Sequence, residues 1–294
     1  MNCEKVVSNI RFALKKYIVY NELKSLVVGV SGGIDSALVC AIAEPVCEEL
    51  SIHLIGRSMP IETNTNREIK NANLIGEHFC IDFKEVDLSN AFTCLSEEID
   101  EREKFRPFDY TNDFPIKDKI RLGNIKARLR MIHLYNIAFI NRGMVLSTDN
   151  KTEEMLGFFT ICGDVGDYSM IQNLWKTEVY KISNHLVERF IGQRELGKAY
   201  ALRSCIDIVP TDGLGISNSD VEQLGVKTYK EVDEIFKEYL NLKEEIYSSS
   251  IDIPSPNLNR YKELVEHPII QRHLRTHFKR NWPNRGLERD ELFN

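Results

Sequence analysis

The chain has 294 residues, 43% hydrophobic and 28% charged, with a formal net charge of −6. That length holds one large α/β domain or two small ones, and the composition supplies a sizeable core. The acidic balance argues against a general nucleic-acid binder, which carries a basic stripe, but a single basic pocket would suffice for a nucleotide.

Residues 4–20 predict an amphipathic helix, with Val6, Ile10, Ala13, Leu14 and Tyr17 at helical spacing. The apolar run Leu26-Val27-Val28-Gly29-Val30 predicts a buried strand over 25–30, followed by a glycine turn and a helix opening at Asp35-Ser36 that Pro45 should kink or end. Strands are expected at 53–59, 81–86 and 143–147, and helices at 66–79, 89–99 and 118–141. The charged, aromatic stretch 101–118, with Pro107 and Pro115, reads as a loop. This alternation predicts an α/β fold, a doubly wound parallel sheet with helices on both faces, whose ligands bind beyond the C-terminal ends of the strands. Residues 160–169 read as a mobile loop, 176–189 as a helix, 210–220 as a loop, and 227–242 and 259–276 as helices. From His277 the tail is basic and Pro-containing, and is expected to be flexible over 277–294.

The seven cysteines form no C-x-x-C pair and read as reduced thiols of a cytoplasmic protein. Neither a signal peptide nor a membrane span is evident, so no membrane partner is expected.

Three stretches carry chemistry. Ser31-Gly32-Gly33-Ile34-Asp35-Ser36, between strand and helix, aims backbone N–H groups and a helix N-terminus at one point, where an anion such as a phosphate chain would sit. It lacks the Lys of a Walker loop. In Gly123-Asn124-Ile125-Lys126-Ala127-Arg128-Leu129-Arg130-Met131, helical spacing puts Asn124 and Arg128 on one face and Lys126 and Arg130 on the other. One pair should face a site and the other solvent or a partner, with Asn124 and Arg128 the preferred inward pair. The third stretch, Leu146-Ser147-Thr148-Asp149-Asn150-Lys151-Thr152-Glu153, leads into Gly157-Phe158-Phe159-Thr160 and Gly163-Asp164. Phe158 and Phe159 read as core.

The glycine turn resembles the pyrophosphate loop (PP-loop) of N-type ATP pyrophosphatases, which split ATP between its α- and β-phosphates. The ordered set SGGIDS, GNIKARLRM and STDNKTEEMLGFFTICGD resembles one branch of them, the ammonia-dependent NAD⁺ synthetases. Asp167-Tyr168-Ser169-Met170-Ile171-Gln172-Asn173-Leu174-Trp175-Lys176-Thr177, Pro210-Thr211 and Tyr229-Lys230-Glu231-Val232-Asp233 extend the likeness over roughly 25–280. It implies a Rossmann-like fold of the adenine nucleotide α-hydrolase type, a single synthetase domain over 1–294, and ATP-dependent amidation of deamido-NAD⁺ through an adenylated carboxylate. By that resemblance Gly29, Val30, Ser31, Gly32, Gly33, Ile34, Asp35 and Ser36 wrap the ATP phosphates, and Thr148, Lys176 and Thr211 contact ATP. Asp35 and Glu153 hold Mg²⁺. Asn124, Arg128, Asp167 and Lys279 meet deamido-NAD⁺, and Asp164 or Asp167 takes a proton from ammonium while Lys176 supports the phosphates. Neither chemical step needs a protein nucleophile. The family is homodimeric, and the first helix and the helix over 118–141 are the candidate interface.

Several positions depart from the family pattern. Ile161 stands where a Lys is usual, Met170 replaces a Pro, Ser147 a Gly, and Asp212-Gly213 shifts an acid by one place. Phe278 separates His277 from Lys279, which are adjacent in the family. These changes fall on the acceptor side of the site more than on the ATP side. Neither end of the chain has room for a glutaminase domain, on the order of a hundred residues or more, so free ammonia is the expected nitrogen source. The rival readings are another PP-loop ligase and a catalytically weakened nucleotide sensor.

Overall fold

The computed structural model describes residues 1–62, 64–103, 114–208, 224–248 and 255–281. In chain order the elements are α1 (Cys3–Tyr20), β1 (Ser25–Gly29), α2 (Ile34–Leu50), β2 (His53–Ser58), α3 (Asn66–Phe79), β3 (Asp82–Glu85), α4 (Ser89–Glu103), α5 (Phe114–Ile140), β4 (Gly143–Ser147), α6 (Lys151–Leu156) and β5 (Tyr168–Ser169). Then follow α7 (Lys176–Gly192), α8 (Leu196–Ile206), α9 (Tyr229–Ser248), α10 (Ser255–Glu266), α11 (Pro268–Arg275) and α12 (His277–Arg280).

The strands make one parallel sheet in the order β3-β2-β1-β4-β5. Side chains alternate across it with period two. Leu26, Val28, Leu54, Met144 and Leu146 enter a core shared with α1, α2, α3, α7 and α8. Val27, Ile55 and Val145 point the other way, onto Met131, Leu134, Ile137 and Ala138 of α5. A third cluster joins Met155 and Leu156 of α6 to Val232, Phe236 and Tyr239 of α9 and Ile269 and Ile270 of α11. The chain leaves β1 toward β2 and later returns to β4 on the opposite side of β1. The crevice beyond the ends of β1 and β4 is therefore the topological switch point, where such sheets bind ligands.

Four expectations need correction. Pro45 neither ends nor interrupts α2, which runs on to Leu50. Pro45 has no N–H for the Ala41 carbonyl, and α1 supplies the donor instead: Arg11 Nη2 donates to Ala41 O at 3.0 Å and Nε to Ile42 O at 3.2 Å. The 101–118 loop is helical at both ends, because α4 reaches Glu103 and α5 starts at Phe114, which puts Pro115 in the first turn, where a missing N–H costs little. The single helix over 259–276 is two, broken where Pro268 opens α11 behind the His267 cap. Residues 277–280 of the tail form α12, whose Lys279 and Arg280 donate to backbone carbonyls. The expected loop at 210–220 and the tail over 282–294 lie outside the described residues, and α8 occupies a stretch where the sequence suggested no element. Among the described residues no helix is long and apolar enough to cross a membrane.

Candidate active site

A cavity of about 650 Å³ opens at the switch point. Its floor is the turn after β1. Gly32 takes φ +81, and Gly33, with φ −85 and ψ 164, precedes the first turn of α2. The turn is tied internally: Ser31 N donates to Ser36 Oγ at 3.2 Å, Gly33 N to Ser31 Oγ at 3.2 Å, and Ser36 Oγ to Gly33 O at 3.2 Å. Such a pre-formed loop at a helix N-terminus suits a phosphate chain.

One wall carries three charges. Lys176, at the start of α7 and 2% exposed, donates to Asp35 Oδ2 at 2.5 Å and Glu153 Oε1 at 2.9 Å. Asn150 braces both carboxylates. Its Nδ2 donates to Asp35 Oδ1 at 2.8 Å, and as N-cap of α6 it forms a capping box with Glu153. Burial, then the neighbouring Asp35 charge, pushes the Glu153 carboxyl up to about 7 against the pull of Lys176. Burial works against the Lys176 ammonium, but Asp35 and Glu153 outweigh it and hold its pKa well above the ordinary value. The Asp149 carboxyl, behind this group, is raised well above its usual range by burial and by Glu153; it accepts from Ser147 Oγ at 3.2 Å.

The opposite wall is α5 with the 157–164 segment. Asn124 Oδ1 accepts from Thr160 Oγ1 at 2.7 Å, and Asp164 Oδ2 accepts from Thr160 N at 2.5 Å. Burial raises the Asp164 carboxyl, opposed by its bonds from Thr160. Lys279 crosses from α12 to donate to Gly157 O at 2.8 Å and to Phe159 O. Burial, then Arg272, pulls its ammonium below the ordinary value. Phe158 packs against the C-terminal helical cluster as a core residue should, yet both Phe158 and Phe159 also line the cavity, under Arg272 and Lys279 respectively.

The structure gathers Gly29, Val30, Ser31, Gly33, Ile34, Asp35, Ser36, Asn124, Thr148, Glu153, Asp164, Lys176 and Lys279 around one cavity. It does not bring Arg128 or Asp167 there. Arg128 is exposed and donates to Ile161 O at 3.3 Å. Asp167, also exposed, accepts from Tyr135 OH at 3.2 Å and Val145 N at 2.9 Å, beside a separate depression near Asn9, Ile10 and Ala13. Of the expected inward pair, Asn124 lines the cavity and Arg128 does not; the α5 cations that line it are Lys126 and Arg130. Lys126 pairs with Glu62 at 3.0 Å, and Arg130 donates to Met59 O at 2.9 Å and Asn64 Oδ1 at 3.1 Å. The signal was present: Ala127, Met131 and Leu134 mark the inward stripe of α5, and Arg130 lies three residues after Ala127 and four before Leu134. Asn150 was legible as an N-x-x-E cap three residues ahead of Glu153. Thr211 lies outside the described residues.

A parallel α/β sheet with a Gly-rich anion loop at its switch point, and a Lys–carboxylate cluster above it, defines a nucleotide-binding enzyme fold of the PP-loop class. The NAD synthase family model matches residues 6–283, and the chain belongs to that family of ligases. A protein named NH(3)-dependent NAD(+) synthetase from Pyrococcus furiosus is 31% identical over 91% of this chain and 88% of its own length. One of the same name from Chlorobium phaeovibrioides is 31% identical over 88% and 80%. Among solved structures, NMN synthetase from Francisella tularensis matches with a TM-score of 0.70 at 22% identity, covering 98% of both chains. NH3-dependent NAD synthetase from Campylobacter jejuni matches with a TM-score of 0.62 at 21% identity, again covering 98% of both.

Proposed function

We propose that the chain amidates deamido-NAD⁺ with free ammonia, consuming ATP and releasing AMP and pyrophosphate, as one synthetase domain located in the cytoplasm. The observation that carries this reading is Lys176 held between Asp35 and Glu153 at the mouth of the phosphate loop. A carboxylate is a poor electrophile. Its oxygen attacks the α-phosphorus, the bond from that phosphorus to the bridging oxygen breaks, and pyrophosphate leaves. Ammonia then attacks the acyl carbon, AMP leaves, and the nitrogen gives up a proton. Charge grows on phosphate oxygens in the first step. The N-terminus of α2 behind the loop and the Lys176 ammonium beside it are placed to meet that charge.

Asp35 and Glu153 suit Mg²⁺, because both carboxylates already converge on a single cation, the Lys176 Nζ. Two carboxylates completed by phosphate oxygens and water are an ordinary Mg²⁺ set. When bound, the ion neutralises phosphate charge and orients the leaving pyrophosphate. Thr148 faces the same space and, with the loop from Gly29 to Ser36 and Thr211, contacts ATP. Asp164 takes the ammonium proton; its place on the cavity, where Asp167 is absent, supports that reading. Asn124 and Lys279 are left for the acceptor within the cavity, with Arg128 and Asp167 on the outer face.

That outer face adjoins an apolar surface. Phe12 and Tyr20 of α1 and Ile132, Tyr135, Phe139 and Ile140 of α5 are exposed, Tyr20 and Phe139 each 88%. Large exposed apolar side chains on two long helices fit an interface between two copies of the chain. It would bring Arg128 and Asp167 to a subunit boundary, and a scattering mass of a single 34.0 kDa chain would contradict it.

Incubation with ATP, Mg²⁺, ammonium and deamido-NAD⁺ is expected to give NAD⁺, AMP and pyrophosphate in equal amounts. Absence of both AMP and NAD⁺ from the products would sink the reading, and the mononucleotide acid offered alongside checks the acceptor. With Asp164→Asn, a rate unchanged across pH and ammonium concentration would remove the proton role.

A further inference from the structure

The sequence singles out Tyr229-Lys230-Glu231-Val232-Asp233, and none of the chemistry above uses it. Asp233 lies on α9 and is 1% exposed. A buried carboxylate is costly unless hydrogen-bonded. Its two hydrogen bonds both reach the neighbours of active-site charges: Oδ1 accepts from Thr152 Oγ1 at 2.6 Å and Oδ2 from Thr177 N at 2.9 Å. Thr152 immediately precedes Glu153, and Thr177 immediately follows Lys176. Thr152 Oγ1 in turn accepts from the Lys176 backbone N–H at 2.8 Å. We infer that Asp233 is a positioning residue that locks α6 to α7 and so sets the spacing of the Glu153–Lys176 pair; this rests on the ATP-site reading above.

The local structure explains why a distant residue is needed. The first amides of a helix lack intrahelical partners, and the N-cap of α7 is Trp175, which has no side-chain acceptor. The three amides at this end are met one by one: Trp175 N by Glu178, Lys176 N by Thr152, and Thr177 N by Asp233. Two of the three acceptors come from outside α7, so its start is fixed relative to α6 and α9. Packing holds Asp233 in turn. Phe236, on the same side of α9, stacks on Trp175 at 6.2 Å, and the Tyr229 ring lies 5.3 Å from Lys176 Nζ. Lys176 thus reaches Asp35 and Glu153 from a backbone that another helix anchors.

The test compares Asp233→Asn, Thr152→Val and Thr152→Ser with Leu264→Ala, a truncation in the same helical core, by melting curve, Mg·ATP calorimetry and kcat well below each melting point. Asp233→Asn and Thr152→Val should each weaken Mg·ATP binding about fivefold and lower kcat about tenfold or more, as expected for losing a hydrogen bond to a charged group. Thr152→Ser keeps the hydroxyl and should retain wild-type values. Leu264→Ala should lose stability while keeping both parameters. Combining Asp233→Asn with Thr152→Val should add less than the product of the two, since they break one network. If Asp233→Asn does not fold, Thr152→Val against Thr152→Ser decides alone. Folded variants with wild-type affinity and kcat overturn the role, as does Leu264→Ala matching Asp233→Asn. Wild-type protein that binds Mg·ATP but makes no NAD⁺ sinks the functional reading alone, and the affinity comparison then decides Asp233. Wild-type protein that does not bind Mg·ATP overturns both.

Discussion

Lys176→Met is expected to lower kcat by about 10³ or more, the scale seen when a preorganised electrostatic contact to the transition state is lost. The same change should destabilise the protein by about 3 kcal/mol, because removing one partner of a buried ion cluster leaves the others uncompensated. Glu153→Gln is the informative contrast. Glu153 is itself raised to about 7 when no metal is bound. The sign follows: a carboxyl whose folded pKa exceeds its unfolded value favours folding at low pH, and that contribution is lost as pH rises through about 7. A neutral amide should therefore stabilise the metal-free protein at pH 8 by ~1–3 kcal/mol, while activity falls as steeply as in Lys176→Met. Denaturant melts with and without Mg·ATP, beside the NAD⁺ assay, read both effects. If Glu153→Gln melts earlier than wild type at pH 8, Glu153 does not carry the strain assigned to it.

Gly32→Ala should have the second largest effect. A Cβ there would stand 2.1 Å from the Glu68 backbone oxygen, on a residue with φ +81. Glu68 cannot retreat easily, since it closes the capping box with Thr65 that starts α3. Left-handed strain and overpacking together suggest about 3 kcal/mol or more, and a displaced phosphate loop with Mg·ATP affinity down about 100-fold. Gly33→Ala is the control. Gly33 has φ −85, and its nearest atom would be Ser31 Oγ at 3.4 Å, so its stability should change by only about 0.5 kcal/mol. Equal losses at the two positions, by calorimetry and denaturant titration, would refute the steric account.

The parts of the fold legible in the sequence share a cause: their signals are local. The short apolar runs along 25–29 and 143–147, the Thr65 and Asn150 caps and the paired glycines are each read within a few residues. The misreadings concern partners distant in sequence. Pro45 looks like a helix end until Arg11, 34 positions earlier, is seen beside the carbonyl it strands. The inward face of α5 is decided by Val27, Ile55 and Val145 rather than by which polar pair spacing groups together. In the same way Asp233 shows its use only when α6, α7 and α9 are assembled. Resemblance to the synthetase family located Asp35, Glu153 and Lys176, but not that Lys176 bridges the two acids.

The Arg11 contact also bears on how short a working version of this chain can be. The helix that begins at the phosphate loop is completed by a guanidinium from α1, so a chain trimmed to start at β1 would take away the donor to the Ala41 carbonyl and uncover the apolar face of α2 that Val7, Leu14 and Ile18 pack against. The minimal unit that preserves the ATP cradle thus begins upstream of Arg11, and anyone pruning the N-terminus to obtain a smaller catalyst would be cutting into the cradle's own foundations.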